Sequence, residues 1–195
     1  VNAAIRIRPY EPRDRAAVRQ ICCDTADRGE PVENFFPDRE LIADLMTRYY
    51  TDYDTTTTWV AEENSAVVAY VTGCLDTPQW RRVTFGRIAP RAILGAIGRG
   101  VLFHAQTWRF LARLRPSSPV DLTDYPAHLH VNVARGFRGG EVGRQLVDTF
   151  RARAGSVGVH ANVRRNNDRG RKFFEQLGFQ PLHETDSTIV YAQKW

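Results

Sequence analysis

AHLHVNVARGFRGGEVGRQLVDTF, residues 127–150, opens as an alternating strand and ends in a helical pattern. Between the two, positions 135–144 hold four glycines and three arginines. Glycine lets backbone N–H groups converge on one point, and the free N–H groups of a helix's first turn add partial positive charge, so this loop predicts an anion site. Glu141, in the middle of it, argues the other way.

Outward from this stretch the pattern repeats. VGVHANV (157–163) reads as a strand, NNDRGRKFFEQLGF (166–179) as a helix and STIVYAQKW (187–195) as a closing strand. Strand and helix alternating in register predict an α/β sheet, with the loop at a strand's C-terminal end, where ligands collect. Upstream, IRIRPY predicts a first strand, and EPRDRAAVRQICCDT a helix with Ala16, Ala17, Ile21 and Cys22 on one stripe. PDRELIADLMTRYY reads as a second helix, and TTTTWVAEENSAVVAYVTGCLDT as a hairpin turning at Glu63, Asn64 and Ser65.

At 195 residues, 43% hydrophobic and 25% charged, the chain is expected to be a single domain, 1–195. The absence of a long apolar run and of a signal-like N-terminus points to a cytoplasmic protein without a membrane span. Cys22, Cys23 and Cys74 lack metal-ligand spacing and read as reduced packing residues.

The net charge of +5 is unevenly spread. Acids outnumber bases from Asp24 to Glu63, whereas residues 77–120 carry eight arginines and no acid. That basic segment predicts a helical insertion around 80–116 with Ile93, Ile97, Val101, Ala105, Trp108 and Ala112 as an apolar stripe, in one helix or two meeting near Gly98. A structural insertion, a lid or homodimer contact, and a nucleic-acid or membrane surface remain open for it. RPSSPVDLTDYP then reads as a loop.

The loop at 135–144 lacks the G-x-x-x-x-G-K-S/T and G-x-G-x-x-G signatures of nucleoside triphosphate and dinucleotide sites. It resembles instead the acyl-CoA-binding half of the GNAT N-acetyltransferases, whose pattern is Q/R-x-x-G-x-G/A after a strand and before a helix. Arg138 and Gly143 match its first and last positions. NNDRGRKFFEQLGF is similar to that family's N-x-x-A-x-x-F-Y-E-K-L-G-F helix, with Asn167, Phe173, Leu177, Gly178 and Phe179 in place. The N-terminal strand and helix and the hairpin also resemble the family's. DYPAHLHVNV with GCLDT is most similar to the branch near the acetyltransferase-like domain of O-GlcNAcase.

The resemblance implies the GNAT fold, a mixed central sheet of about six to seven strands flanked by helices. It implies acetyl-CoA as co-substrate and an N-acetyltransferase in which a primary amine attacks the thioester directly, with both substrates bound together. Backbone groups near Val131 and Val133 would pair with the pantetheine arm. The N–H groups of Arg138, Gly139, Gly140, Val142, Gly143 and Arg144 would wrap the pyrophosphate, with the Arg138 and Arg144 side chains adding charge. Asn167 and Phe174 complete the implied cofactor set.

Two positions depart from the family. Glu141 stands where the motif has its first glycine, and a carboxylate about 6 Å from a phosphate would be repelled by roughly 3 kcal/mol at an effective dielectric near 20, so its side chain is expected to point away. Phe174 stands where the family has a Tyr that protonates the leaving thiolate. A thiol with pKa near 8.5 can still depart largely unassisted at neutral pH. For the base, the candidates are Asp124, His128 and His130, the two histidines sharing one strand face. A histidine pair without a third ligand predicts no metal site.

Two functional classes stay open: the acetyltransferase, and a GNAT-fold CoA-binding or protein-binding module with decayed activity. A nucleic-acid binder is disfavoured, since no aromatic and basic residues interleave. The acidic stretch from Asp24 to Glu63 would suit a cationic acceptor, and a solvated helix face would explain it equally.

Overall fold

The computed structural model describes residues 5–113 and 120–195. Its elements run β1 (Arg6–Pro9), α1 (Arg15–Thr25), α2 (Arg39–Arg48), β2 (Thr58–Glu63), β3 (Ala66–Cys74), α3 (Thr77–Val83), α4 (Ala89–Gly98), α5 (Ala105–Arg113), β4 (Ala127–Val133), α6 (Val142–Ala154), β5 (Val159–Arg164), α7 (Asp168–Gln176), β6 (Gln180–Glu184) and β7 (Thr188–Gln193). The strands form one mixed sheet in the order β1-β2-β3-β4-β5-β7-β6. Among the described strands, only β4 and β5 pair in parallel.

Strand alternation divides the side chains between two layers. Ala61 of β2, Ala69 and Val71 of β3, and Ala127 and Leu129 of β4 meet Leu146, Val147 and Phe150 of α6 in the main core. Val60 and Tyr70, on the opposite face, meet Val18, Ile21 and Cys22 of α1. Each large apolar side chain so buried contributes about 1.5–3 kcal/mol. Gly73 permits the close approach of α6, because a Cβ there would lie 2.2 Å from Phe150 Cε2. All three cysteines are buried and unbridged.

Three expectations change. Within α1, Val18 faces the core and Ala16 faces solvent, because the packed stripe is Val18, Ile21, Cys22 and Thr25. β6 carries no sequence signal: it is an edge strand whose residues are mostly exposed, with a bulge between Pro181 and His183.

The insertion differs most. It begins at Thr77 and its described residues form three helices, the last two separated at Gly100 (φ +74°). Of the expected stripe, Val101 is buried as expected, but Ile93, Ile97 and Trp108 are exposed, and the other residues turned inward are Ile88, Ala92 and Ala96. Small residues face α2 because α4 lies close against it, joining the cluster of Cys23, Leu41, Ile42 and Ala43. The end of the expected insertion, the start of the expected loop and the Ala112 side chain lie outside the described residues.

Candidate active-site cleft

β4 and β5 pair at Ala127↔Val159 and His128↔His160 and then diverge. The Ala127 N–H donates to the Gly158 carbonyl on the β5 side (3.2 Å), and the Ala134 N–H to the Val68 carbonyl on the β3 side (2.9 Å). Alternation turns the N–H groups of Leu129, Val131 and Val133 toward the β5 side, and beyond the His128↔His160 bridge those of Val131 and Val133 face the gap. These edge groups face a cleft of ≈ 1080 Å³ that runs from α1 and α2 to the 135–144 loop and α7.

At its far end the loop reaches the N-terminus of α6. The Gln145 N–H is bound to the Glu141 carbonyl (2.9 Å), leaving the N–H groups of Val142, Gly143 and Arg144 without intrahelical carbonyls. Gly139 has φ +83°, and a Cβ at Gly139 or Gly140 would meet nothing within 4 Å, so the space before these amides is open. Gly143 has a different duty: its Cβ would lie 3.1 Å from Phe173 Cε2, so glycine there lets α6 start against α7. Glu141 is exposed at the loop end of the cleft, with its carboxylate 3.5 Å from the Arg144 Nε.

Arg138 is placed unexpectedly. Its Nε donates to the Val133 carbonyl (2.9 Å) and its Nη2 to the Gly29 carbonyl (2.7 Å). The guanidinium is therefore a brace between β4 and the turn after α1, and not a charge aimed into the loop. Gly29 must be glycine for this, since its φ is +95° and its Cβ would lie 3.0 Å from Arg138 Nη1. Arg164 and Arg135 tie the same turn down through Asp27 (3.1 Å) and Glu30 (2.9 Å). Asn167 caps α7, its Oδ1 accepting from the Gly170 N–H at 3.0 Å, while also lining the cleft. Phe174 is buried, stacked on Tyr191 and edge-on to Phe179, with part of its surface in the cleft wall.

The three base candidates separate. Asp124 precedes β4, at the end of the strand away from the cleft, and pairs with Lys194 at 3.0 Å. It is not among the residues lining the cleft. His128 is buried, with Nε2 2.6 Å from the Tyr50 hydroxyl and Nδ1 2.7 Å from Thr77 Oγ1. Desolvation, and then His130 and His160, push its pKa down to about 2, so it is a neutral structural hub. His130 does line the cleft. Desolvation and then His160 lower its pKa to about 4, so it is neutral at pH 7. No group of three or more His, Cys, Asp or Glu suited to a metal ion occurs among the described residues.

Several cleft residues carried no sequence signal. Tyr70 reaches the cleft from β3, and burial raises its pKa well above the ordinary tyrosine value, so it stays protonated. Asn132 donates to Thr25 Oγ1, joining β4 to α1. The acidic stretch from Asp24 to Glu63 is largely consumed by the protein's own arginines: Arg39 binds Asp24 and Glu33, Arg19 binds Glu40 and Asp44, Arg99 binds Asp38, and Arg15 binds Asp52. At the cleft the cations Arg28, Arg135, Arg138, Arg144, Arg164, Arg169 and Lys172 face only Glu30 and Glu141.

Comparison with solved structures bears on the fold. The structure of SsHAT superposes with a TM-score of 0.79 at 24% identity, covering 98% of both chains. An N-acetyltransferase from Staphylococcus aureus Mu50 gives 0.65 at 15% identity, over 96% of this chain and 100% of that one. The PaiA N-acetyltransferase from Thermoplasma acidophilum, solved in complex with coenzyme A, gives 0.57 at 11% identity, over 98% and 99%. The model of the acetyltransferase (GNAT) family matches residues 27–179. With that match over most of its length, and with the strand divergence and loop that the fold requires, the chain belongs to the GNAT acetyltransferase family.

Proposed function

We propose that the chain is a single acetyltransferase domain that binds acetyl-CoA in the β4/β5 cleft and passes its acetyl group to a primary amine in a ternary complex. The observation that carries this reading is the β4 edge at Val131 and Val133, beyond the last β5 pair, leading straight to the open amides of the 135–144 loop. Val131 would bind the pantetheine arm, and the N–H groups from Gly139 to Arg144 the pyrophosphate. Charge-assisted hydrogen bonds of this kind are worth about 1.5–3 kcal/mol each. The excess of cations around the cleft suits an anionic co-substrate.

On the acceptor side, the neutral amine nitrogen attacks the thioester carbonyl, the carbon–sulfur bond breaks, the nitrogen sheds a proton to solvent as the amide forms, and the thiolate takes up a proton from solvent or a donor. His130 is our candidate to receive a hydrogen bond from the attacking nitrogen. It is a weak base: with its pKa near 4, taking a proton from an ammonium of pKa near ~10 would cost on the order of 8 kcal/mol. The acceptor therefore enters as the neutral amine, and weakly basic amines are favoured. Cys22, Ala26, Phe35, Ile42 and Met46 give this side of the cleft an apolar wall, and the paired acids of α1 and α2 offer no free carboxylate to a polycation. Tyr70 is the tyrosine in the cleft wall that could supply the thiolate's proton in place of Phe174.

We also place the chain near the branch of the O-GlcNAcase acetyltransferase-like domain. The two segments that suggest it touch: the Thr77 N–H donates to the Pro126 carbonyl (2.8 Å), and Thr77 Oγ1 bonds His128. The second reading, a binding module with decayed chemistry, is favoured by Phe174 alone. Thiol release from acetyl-CoA, followed with amines of different pKa, tests the proposal. Turnover should rise with pH along each amine's own ionisation. A midpoint near pH 7 for every amine would reveal an enzyme base stronger than His130, and tight acetyl-CoA binding without turnover of any amine would leave the binding module.

A further inference from the structure

The insertion presents a face that the acetyl-transfer reading does not use. Of its described arginines, Arg99 meets a carboxylate, Asp38 at 2.7 Å. Arg81, Arg82, Arg87, Arg91 and Arg109 are exposed and have no acidic partner among the described residues. Apolar surface lies among them. With Ile88, Ala92 and Ala96 turned inward, Ile93, Leu94 and Ile97 occupy the far side of α4, flanked by Arg87 and Arg91. Leu94 is 68% exposed, Phe85 61% and Phe103 93%. No described residue of the insertion lines the cleft.

We propose that this face docks the protein on an anionic lipid bilayer, with Ile93, Leu94 and Ile97 entering the boundary between headgroups and acyl chains and Arg87 and Arg91 lying on lipid phosphates. Apolar patches of this kind on a monomer mark an interaction site. Charge selects the occupant. A second copy meeting this face across a two-fold axis would set arginine against arginine, with no carboxylate from residues 77–120 to offset them. A nucleic acid would take the arginines but offer little to the aliphatic Ile93, Leu94 and Ile97. An anionic bilayer satisfies both kinds of side chain. The attachment is peripheral, since no described helix is long and apolar enough to cross a membrane.

The test is co-sedimentation of the full chain with vesicles of phosphatidylcholine alone and of phosphatidylcholine mixed with phosphatidylglycerol. At low salt, binding to the anionic vesicles should exceed binding to the neutral ones by at least about tenfold and fall as salt is raised. Leu94→Ser with Ile97→Ser, and separately Arg87→Gln with Arg91→Gln, should each reduce it severalfold while acetyl-CoA affinity stays at the wild-type value. Three results would overturn the proposal: no preference for anionic vesicles, a stable dimer in analytical ultracentrifugation that Leu94→Ser dissociates, or binding of an RNA or DNA fragment that the aliphatic variant leaves intact.

Discussion

The segment from β4 to α7 and the insertion from α3 to α5 are both rich in glycine and arginine, but they use them differently. In the first, where strands and helices meet, Gly143 Cβ would press on Phe173 and Gly158 Cβ would fall 1.9 Å from the Asp124 carbonyl oxygen, just as Gly73 Cβ in the adjoining β3 would strike Phe150, and the open glycines Gly139 and Gly140 are confined to the loop. Its arginines are mostly spent on named partners, as Arg138 is on Gly29 and Val133. In the insertion, Cβ atoms at Gly86 and Gly98 would meet nothing within 4 Å, and most arginines face water. The lesson is that composition alone does not say whether a glycine is there for close packing. The neighbouring strand or helix does.

Paired substitutions should expose this contrast most strongly. Gly73→Ala must displace Phe150 and the His128 carbonyl, and should cost on the order of 2–3 kcal/mol in chemical unfolding. Gly98→Ala, in open space at the end of α4, should change stability by no more than about 1 kcal/mol, in the stabilising direction. Similar losses from the two would erase the distinction.

Acid titration sharpens it next, because the three strand histidines cluster on one side. Burial lowers the pKa of His128, His130 and His160, so the fold holds them neutral while the unfolded chain protonates them below about 6.5. The unfolded state then binds more protons, and stability present above that pH is lost as pH falls toward the folded values. The melting temperature should drop by several degrees between pH 7 and pH 5. A flat profile over that window would mean that these histidines are accessible.

A smaller effect is expected at Phe174. A phenol there should raise kcat less than about tenfold with little change in acetyl-CoA KM, since the surrounding aromatic rings are arranged for Phe. A clearly slower Phe174→Tyr variant would place the proton donor elsewhere, with Tyr70 next to be changed. The smallest shift belongs to Glu141→Gly. With the carboxylate exposed at the cleft and 3.5 Å from Arg144, its removal should tighten acetyl-CoA binding by a fewfold at low salt and not at high salt. Weaker binding would reveal a contact from Glu141 to the co-substrate.

The same contrast explains what the sequence showed. β4 matches its expected span because AHLHVNV is bounded by Pro126 and the glycine loop, and α6 follows from its spacing of Val142, Leu146, Val147 and Phe150. The divergence of β4 from β5 was legible only through family resemblance, since no local pattern encodes it. Arg138's bond to Gly29 joins residues 109 positions apart, beyond any local reading. Asp124 looked near the site in sequence, yet strand direction puts it at the wrong end of β4. The α4 stripe was misread because hydrophobicity ranks Ile above Ala, whereas close helix packing against α2 selects Ala92 and Ala96.

Acetyl-CoA binding along the diverging β4 edge and the loop after it is tested, without knowledge of the acceptor, by calorimetric titration of the wild type and of the Arg138→Ala, Arg144→Ala variant. The wild type should bind saturably, and the variant should bind well over about tenfold more weakly as the brace to Val133 and Gly29 and the charge at α6 are lost. No binding heat from the wild type, or equal affinity in both proteins, would contradict it.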